Sequence, residues 1–562
     1  MGHFTLATGI FAKNALKALA MTRNRYHWAA TGDVNAFFGL MLDNMADLLL
    51  TVGLLAVTFQ FPATFALQYM VPGTAIGVFI GDMLFFFMAI RLARRTGRDD
   101  VTAMPLGLDT PSTIGIVLFV LGPAFVYAKT KLGMGPHPAA VYTWHVGICA
   151  LFICGLFKIA CAFGAGWIRR IVPRAGLLGS LTAIALILIS FLPLLDVLSQ
   201  PLVGMISLAI ILTTLVARVE LPWRVPGALG ALLVAGTVYY VMRLAGWLAP
   251  EPVLFHPADG LLPHGWLDAF RFEWLSALQD SLRYLPIVIP FALATVVGGI
   301  DCTESAAAAG DEFDTRWIIG VEGLATLIAA VCGGVVQTTP YIGHPAYKAM
   351  GGRCAYTLAT ALFIGSAGLL GYFGYMYLVI PKAAIFTILI FIGLEITAQS
   401  FQATPTRHYA ALALACVPAM AKLVMIFVNN VLGQCDKTIE QLGPPLVTQL
   451  HVIQTLASGF IVTSLLWGAA LAAIIDRRLR FAGAYFAIAG LCTLFGIIHS
   501  PYADERLLVT WILPGNLLAN SVGDQPAFQL GIAYFMVAVM LVVWARFVKP
   551  GDRRNNDVGT SA

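Results

Sequence analysis

The chain has 562 residues, 59% of them hydrophobic and only 11% charged, with 34 Lys and Arg against 29 Asp and Glu for a net charge of +5. Soluble globular proteins carry roughly 25% charged residues, so this composition excludes a soluble domain and fits a polytopic membrane protein. The small positive excess sits in short loops rather than on one face, which speaks against nucleic acid as a partner.

Residues 1–34 read as a cytoplasmic segment that carries Lys13, Lys17, Arg23 and Arg25; stretch 4–20 is weakly amphipathic, and no signal-peptide core is present. Apolar spans follow at about 35–60, 66–90, 101–126, 139–166, 175–195, 201–217 and 225–248. A polar loop, 249–283, comes next, and its part 265–283 has the pattern of an amphipathic helix. Seven more spans are expected at about 284–310, 317–334, 338–353, 354–378, 382–402, 409–428 and 451–475, then two extra ones within 481–547 and a tail, 548–562. Alternation from a cytoplasmic N-terminus puts the basic loops 91–98, 167–174, 217–224, 404–408, 476–480 and 546–554 inside and loop 249–283 outside.

Seven spans on each side of that loop mean that the second set inserts upside down relative to the first. The expected fold class is therefore an all-α polytopic membrane protein, a 7+7 inverted-repeat transporter with two extra C-terminal spans. The repeats are 35–248 (core 35–166, gate 175–248) and 284–475 (core 284–378, gate 382–475). No nucleotide-binding motif occurs, and neither ATP drive nor an enzyme activity is expected. Nine cysteines form no CxxC pair and fall mostly in apolar segments, so neither a metal site nor a cofactor is expected.

Two spans, the third and the tenth, are broken. The third begins AMPLGLDTPSTIG (103–115); the tenth is QTTPYIGHPAYKAMGGR (337–353). Irregular backbone cannot face lipid, because each unpaired N–H or C=O costs several kcal/mol. Broken spans at matching places in two repeats point to a central site. Thr110 followed by Pro111 reads as a helix start, and so does Gly343-His344-Pro345. From Pro345 to Gly352 is about 12 Å of helix, less than half of a bilayer core about 30 Å thick.

Ionisable residues inside a membrane default to function. Asp43 and Asp47 lie one turn apart in span one; Asp301 and Glu304 lie one turn apart in span eight. Asp43, Asp301 and Glu304 are candidates for proton coupling. His344 and Gly343 stand at the second helix start, and Tyr341 either stacks on a cargo or packs. Asp109 either bonds the cargo or caps its own helix, with Thr110 beside it. Asp47, Asp301 and Glu304 join the expected cargo site, whereas Glu322 and Glu395 are assigned structural roles.

Residues 300–353, IDCTESAAAAGDEFDTRWIIGVEGLATLIAAVCGGVVQTTPYIGHPAYKAMGGR, resemble the nucleobase–ascorbate (xanthine/uracil) permease family, and 104–109, MPLGLD, is similar to its adenine/guanine/hypoxanthine branch. The resemblance implies fourteen core spans, a core domain moving against a gate domain, dimers through the gate, and a fold shared with sulfate permeases. It makes Glu304 the match of a family glutamate that bonds a nucleobase. The family's acidic or amide residue after the tenth-span break is replaced here by Gly343 and His344, and its aromatic residue in span three by Leu108, Asp109 and Thr110. The expected function is a secondary active importer of a purine or pyrimidine base, coupled to H+ rather than Na+. It would sit in the inner membrane as a multi-pass homodimer with both termini cytoplasmic. The alternative is an anion transporter or channel of the sulfate-permease-like fold.

Overall fold

The structure, a computed structural model, describes residues 26–171, 174–248, 255–341, 343–435, 437–500 and 526–547. The amphipathic stretch 4–20 and the tail 548–562 lie outside the described residues. The first half runs α1 (Gly32–Phe59), α2 (Ala63–Thr96), strand β1 (Leu106–Leu108), α3 (Thr110–Thr130), α4 (Pro136–Ile171), α5 (Leu178–Ser199), α6 (Pro201–Val216) and α7 (Gly227–Leu244). The second half runs α8 (Leu285–Ala308), α9 (Thr315–Val331), strand β2 (Thr338–Pro340), α10 (His344–Ala349), α11 (Ala355–Leu370), α12 (Phe373–Val379), α13 (Lys382–Gln402) and α14 (Tyr409–Gln434). It is completed by α15 (Pro444–Ala457), α16 (Phe460–Ile475), α17 (Leu479–Leu494) and α18 (Pro526–Trp544).

Among the described residues nine helices are long and apolar enough to cross a membrane, and eleven if each of two bent pairs counts as one span. The difference from sixteen expected spans has local causes. The α11/α12 pair bends by 101° and the α15/α16 pair by 73°. Each bend follows a glycine in the left-handed region, Gly371 (φ 77°) and Gly459 (φ 65°), where a side chain would be strained. Helix α10 has only six residues, and α6 and α17 are short apolar helices. The segment 265–283 is not one amphipathic helix. It forms separate short helical turns broken at Phe272 (φ 56°), with Trp274 and Ala269 buried.

Helices α1 to α4 interlock with α8, α9 and α11: α4 packs on α9, and α2 packs on both α9 and α11. A second group joins α5, α6 and α7 to α13, α14 and α16. The last two helices, α17 and α18, pack on each other, and α17 packs on α16. The turns after α2 and α8 meet at one end of the molecule, where the Arg98 guanidinium bonds the Gly310 carbonyl. Loop 255–284 lies at the opposite end, where the Gln68 amide at the head of α2 bonds the Asp259 carbonyl.

The two broken spans meet as an antiparallel pair. Leu106, Gly107 and Leu108 of β1 stand opposite Pro340, Thr339 and Thr338 of β2. The ladder is closed beyond both ends by Asp109 N–H on Gln337 O (3.1 Å) and Tyr341 N–H on Pro105 O (2.9 Å). Two glycines let the chain reach this position. A Cβ on Gly73 would sit 2.2 Å from Gly334 N, and one on Gly334 would sit 2.8 Å from Gly73 C. The lead-in to β2 therefore lies directly against the backbone of α2.

Gly73→Ala drives a methyl into that backbone contact, which has no flexible side chain to yield. The expected loss is about 1–3 kcal/mol, as is typical of overpacking, read as a lowered thermal unfolding midpoint of the detergent-purified protein. Gly133→Ala, a positive-φ surface turn with open space around it, serves as the control for backbone strain without a clash.

Candidate functional site

Two short strands inside a membrane protein have edges that must be satisfied without water. On β1, Leu106 N–H donates to Asp82 Oδ1 (3.1 Å) and Leu108 N–H to Asn44 Oδ1 (2.9 Å). Asn44 Nδ2 donates to Leu40 O, which fixes its amide with the oxygen toward β1. On β2, Lys158 Nζ donates to Thr338 O (2.8 Å), Thr338 N–H reaches Thr326 Oγ1 (3.4 Å), and Cys302 Sγ–H reaches Pro340 O (3.4 Å). Pro340 has no N–H to leave unpaired.

The helix after β1 starts on the same pattern. Asp109 is the N-cap of α3, its Oδ2 accepting Ser112 N–H at 3.0 Å. Thr110 Oγ1–H donates to Asp47 Oδ2 (3.0 Å), which ties the start of α3 to the middle of α1. Behind the strands Lys158 Nζ pairs with Glu322 Oε1 at 2.8 Å, both side chains fully buried.

A pocket opens at the start of α3, between the two packed groups. One side is made by Asp43, Asp109, Thr110, Asp301, Thr339 and Tyr341. The other is made by Leu178 and Leu181 of α5 and by Ile392, Glu395, Ile396 and Gln399 of α13. Among the described residues, none that lines the pocket is basic. Among the described residues, the buried Asp43 Oδ1 has no hydrogen-bond partner.

Of the residues expected at the site, the structure brings Asp43, Asp109, Thr110, Asp301 and Tyr341 to one pocket. Asp47 lies behind Thr110 and does not line it. Glu304, one turn further along α8, is half-buried and outside the lining. Gly343 and His344 are outside it too. His344 is fully buried and turns toward the end where loops 97–102 and 309–314 meet, with Nε2 3.2 Å from both Asp311 Oδ2 and Thr102 O. Lys348 Nζ lies 2.6 Å and Arg98 Nη2 3.2 Å from Asp311 Oδ1. Burial pushes the Asp311 carboxyl up, but hydrogen bonds from His344, Lys348 and the Thr102 N–H together hold it below its ordinary value. The half-helix α10 is thus pinned by an ion-pair cluster and does not aim a histidine at the pocket.

Four residues at or behind the pocket go beyond the sequence expectation. Glu395, expected in a structural role, lines the wall, its Oε1 accepting Gln399 Nε2 at 2.8 Å. Lys158, Asp82 and Gln337 are the other three. Lys158 and Asp82 carry a sequence signal, each being a lone charge inside an apolar run. Gln337 carries none.

The chain is a predominantly helical, multi-pass membrane protein built around two broken spans. No protein-family model matches it, and no curated protein matches it. Among solved structures it is similar to the transmembrane domain of a cyanobacterium bicarbonate transporter, BicA, at 15% identity and TM-score 0.43, over 71% of this chain and 97% of that one. It is similar to SLC26A9 at 12% identity and TM-score 0.43, over 71% of this chain and 65% of that one. It is also similar to murine Slc26a9, an anion transporter in the inward-facing state, at 13% identity and TM-score 0.37, over 72% of this chain and 68% of that one. These findings overturn the expected membership in the nucleobase–ascorbate permease family. The run 300–353 is short, and its Gly, Pro and hydroxyl residues are what any broken span requires.

The Lys158–Glu322 pair gives a stability prediction. Lys158→Ala leaves Glu322 as an unpaired buried charge and strips Thr338 O of its donor, so the loss should be about 3–5 kcal/mol. The double variant Lys158→Met with Glu322→Leu removes both charges at similar volume and should recover most of it. Thermal unfolding of the two purified variants beside the parent checks this, and equal loss in both would refute the pairing.

Proposed function

We propose that the chain is a proton-coupled secondary transporter that moves a small anion by alternating access. In this reading α1–α4 with α8–α11 form one body, α5–α7 with α13–α16 the other, and the pocket lies between them. The multi-pass chain sits in a cell membrane with the basic loops inside.

The observation that supports it is the position of Asp109. A helix start carries roughly half a positive charge and favours an anion. Here the 21-residue helix α3 starts at the pocket, and Asp109 itself answers its positive end. Ionised, Asp109 and its neighbours repel an entering anion by about 4 kcal/mol per carboxylate at 4 Å with an effective dielectric near 20. Protonated, Asp109 loses its charge and gains an O–H donor. The helix end is then left without its anion, and a mobile one can take the place. Anion and proton therefore bind together, because each removes an obstacle to the other.

A second reading is an uncharged solute with N–H donors, such as a nucleobase. The apolar wall of Leu178, Leu181, Ile392 and Ile396 and the Tyr341 ring favour it. It needs no protonation, since carboxylates accept N–H bonds directly.

Proteoliposomes decide between them. A one-unit pH difference is worth about 1.4 kcal/mol per proton, enough for about tenfold accumulation of an anion carried with one proton. Uptake of bicarbonate, sulfate or chloride should be saturable and driven by acid outside. Asp109→Asn, which fixes the neutral state, should let the anion equilibrate without accumulating. Uptake of uracil, xanthine or adenine with no anion movement would establish the second reading, and no uptake of any solute would remove transport.

A further inference from the structure

The proton site of the proposed transporter is set from behind by residues of the other broken span and of α4. Gln337, the residue before β2, is buried, and its Nε2 reaches Asp109 Oδ2 at 3.4 Å. Its Oε1 accepts Cys154 Sγ–H at 2.8 Å. That orientation is forced: the opposite flip would set an amide oxygen against a carboxylate oxygen and an NH2 group against a thiol. A chain of donors thus runs Cys154 to Gln337 to Asp109. Ser112 N–H donates to the same Oδ2. Oδ2 is therefore occupied on two sides, and Oδ1 is the oxygen left for the pocket.

We propose that Gln337 and Cys154 are positioning residues for Asp109, holding Oδ2 so that the proton is taken and released at Oδ1, and that they thereby set the pH at which the carrier works. Every strong charge near Asp109 enters the same balance. Asp43 and Asp47 on α1 lie beside it. Asp301 on α8 and Glu395 on α13 share the pocket with it, as does the Tyr341 hydroxyl. Behind it, Lys158 on α4 and Glu322 on α9 form their own pair. Like the Ser112 N–H, the Gln337 donor is a neutral group that favours the ionised form of Asp109 without adding charge, alongside the positive charge of Lys158. It also joins the two half-helices: loading a proton on the first span is felt by a residue of the second. Cys154 and Lys158, one turn apart on α4, grip adjacent residues of that second span, Gln337 and Thr338.

The inference rests on the transport reading, but its test has a readout that needs no cargo. The carboxyl band of Asp109 is identified by infrared difference spectroscopy on purified protein as the band lost in Asp109→Asn. Gln337→Met removes the donor at similar volume and should move that band. Cys154→Ala frees the amide to turn and should move it in part, whereas Cys154→Ser keeps a donor and should leave it in place. In proteoliposomes the half-maximal pH of uptake should rise by about one unit in Gln337→Met. It should rise further in Gln337→Glu, where a second carboxyl faces Oδ2, and stay at the parent value in Cys154→Ser. An unmoved band and an unshifted profile, with only the rate reduced, would make Gln337 a packing residue and overturn the proposal. Where Gln337→Met does not fold, Cys154→Ala and Gln337→Glu decide the same point by the same two readouts. A moved band in protein that carries no anion would keep the positioning role and sink only the transport reading.

Discussion

Six residues of extended chain lie inside a helical membrane protein, and each of their backbone groups must find a partner there. Pairing β1 with β2 satisfies the inner edges. Side chains from five helices bond the outer edges: Asn44 of α1, Asp82 of α2, Lys158 of α4, Cys302 of α8 and Thr326 of α9. An unsatisfied group would cost several kcal/mol in this setting. The same need explains why α2 keeps Gly73 where the chain approaches β2, since a side chain there would hold the strand away from its partners.

That constraint sets the electrostatics. Side chains that satisfy backbone N–H groups are acceptors, and the acceptors used are Asp82, Asn44 and the cap Asp109. Carbonyl groups call for donors, and the one used at Thr338 is a lysine, which then needs Glu322 beside it. Among the described residues, the surroundings of the strands thus become acidic around the buried Lys158. Asp43 goes further: it lines the pocket with an unpartnered oxygen and satisfies no strand edge. A buried polar group without a structural partner costs stability, and the proposed function gives that cost a use.

The outline of this arrangement is legible in the sequence, and its details are not. Pro, Gly and hydroxyl clusters at 103–115 and 337–353 mark both breaks, because only irregular backbone needs them in an apolar run. Asp43, Asp109 and Asp301 stand out as charges at membrane depth. The orientation of His344 does not. Its partner Asp311 comes from a loop 33 residues earlier in the sequence, and no periodicity links a loop carboxylate to a half-helix. Glu304 is drawn in by its depth in the span and its spacing from Asp301 as well as by resemblance, and the turn of α8 carries it past the pocket. Gln337 is uncharged and sits in a polar stretch, so nothing in composition separates it from its neighbours. The bends at Gly371 and Gly459 are hidden inside long apolar runs that read as single spans.

A cap carboxylate is a suitable place to couple a proton to an anion for a reason that lies in the helix itself. In the proposed carrier, ionised Asp109 is held by the Ser112 N–H and by the positive end of α3. Protonation gives up that stabilisation, and the helix end regains the capacity to hold a negative charge. An anion that arrives restores part of what was lost. In the proposed carrier the coupling comes from the proton and the helix end, and its strength is bounded by what a helix end offers, about 0.3–2 kcal/mol. A single cap at that strength gives weak coupling. The cluster of Asp43, Asp109 and Asp301 in one pocket extends it, because each proton also lowers the repulsion that the other carboxylates exert on the same anion.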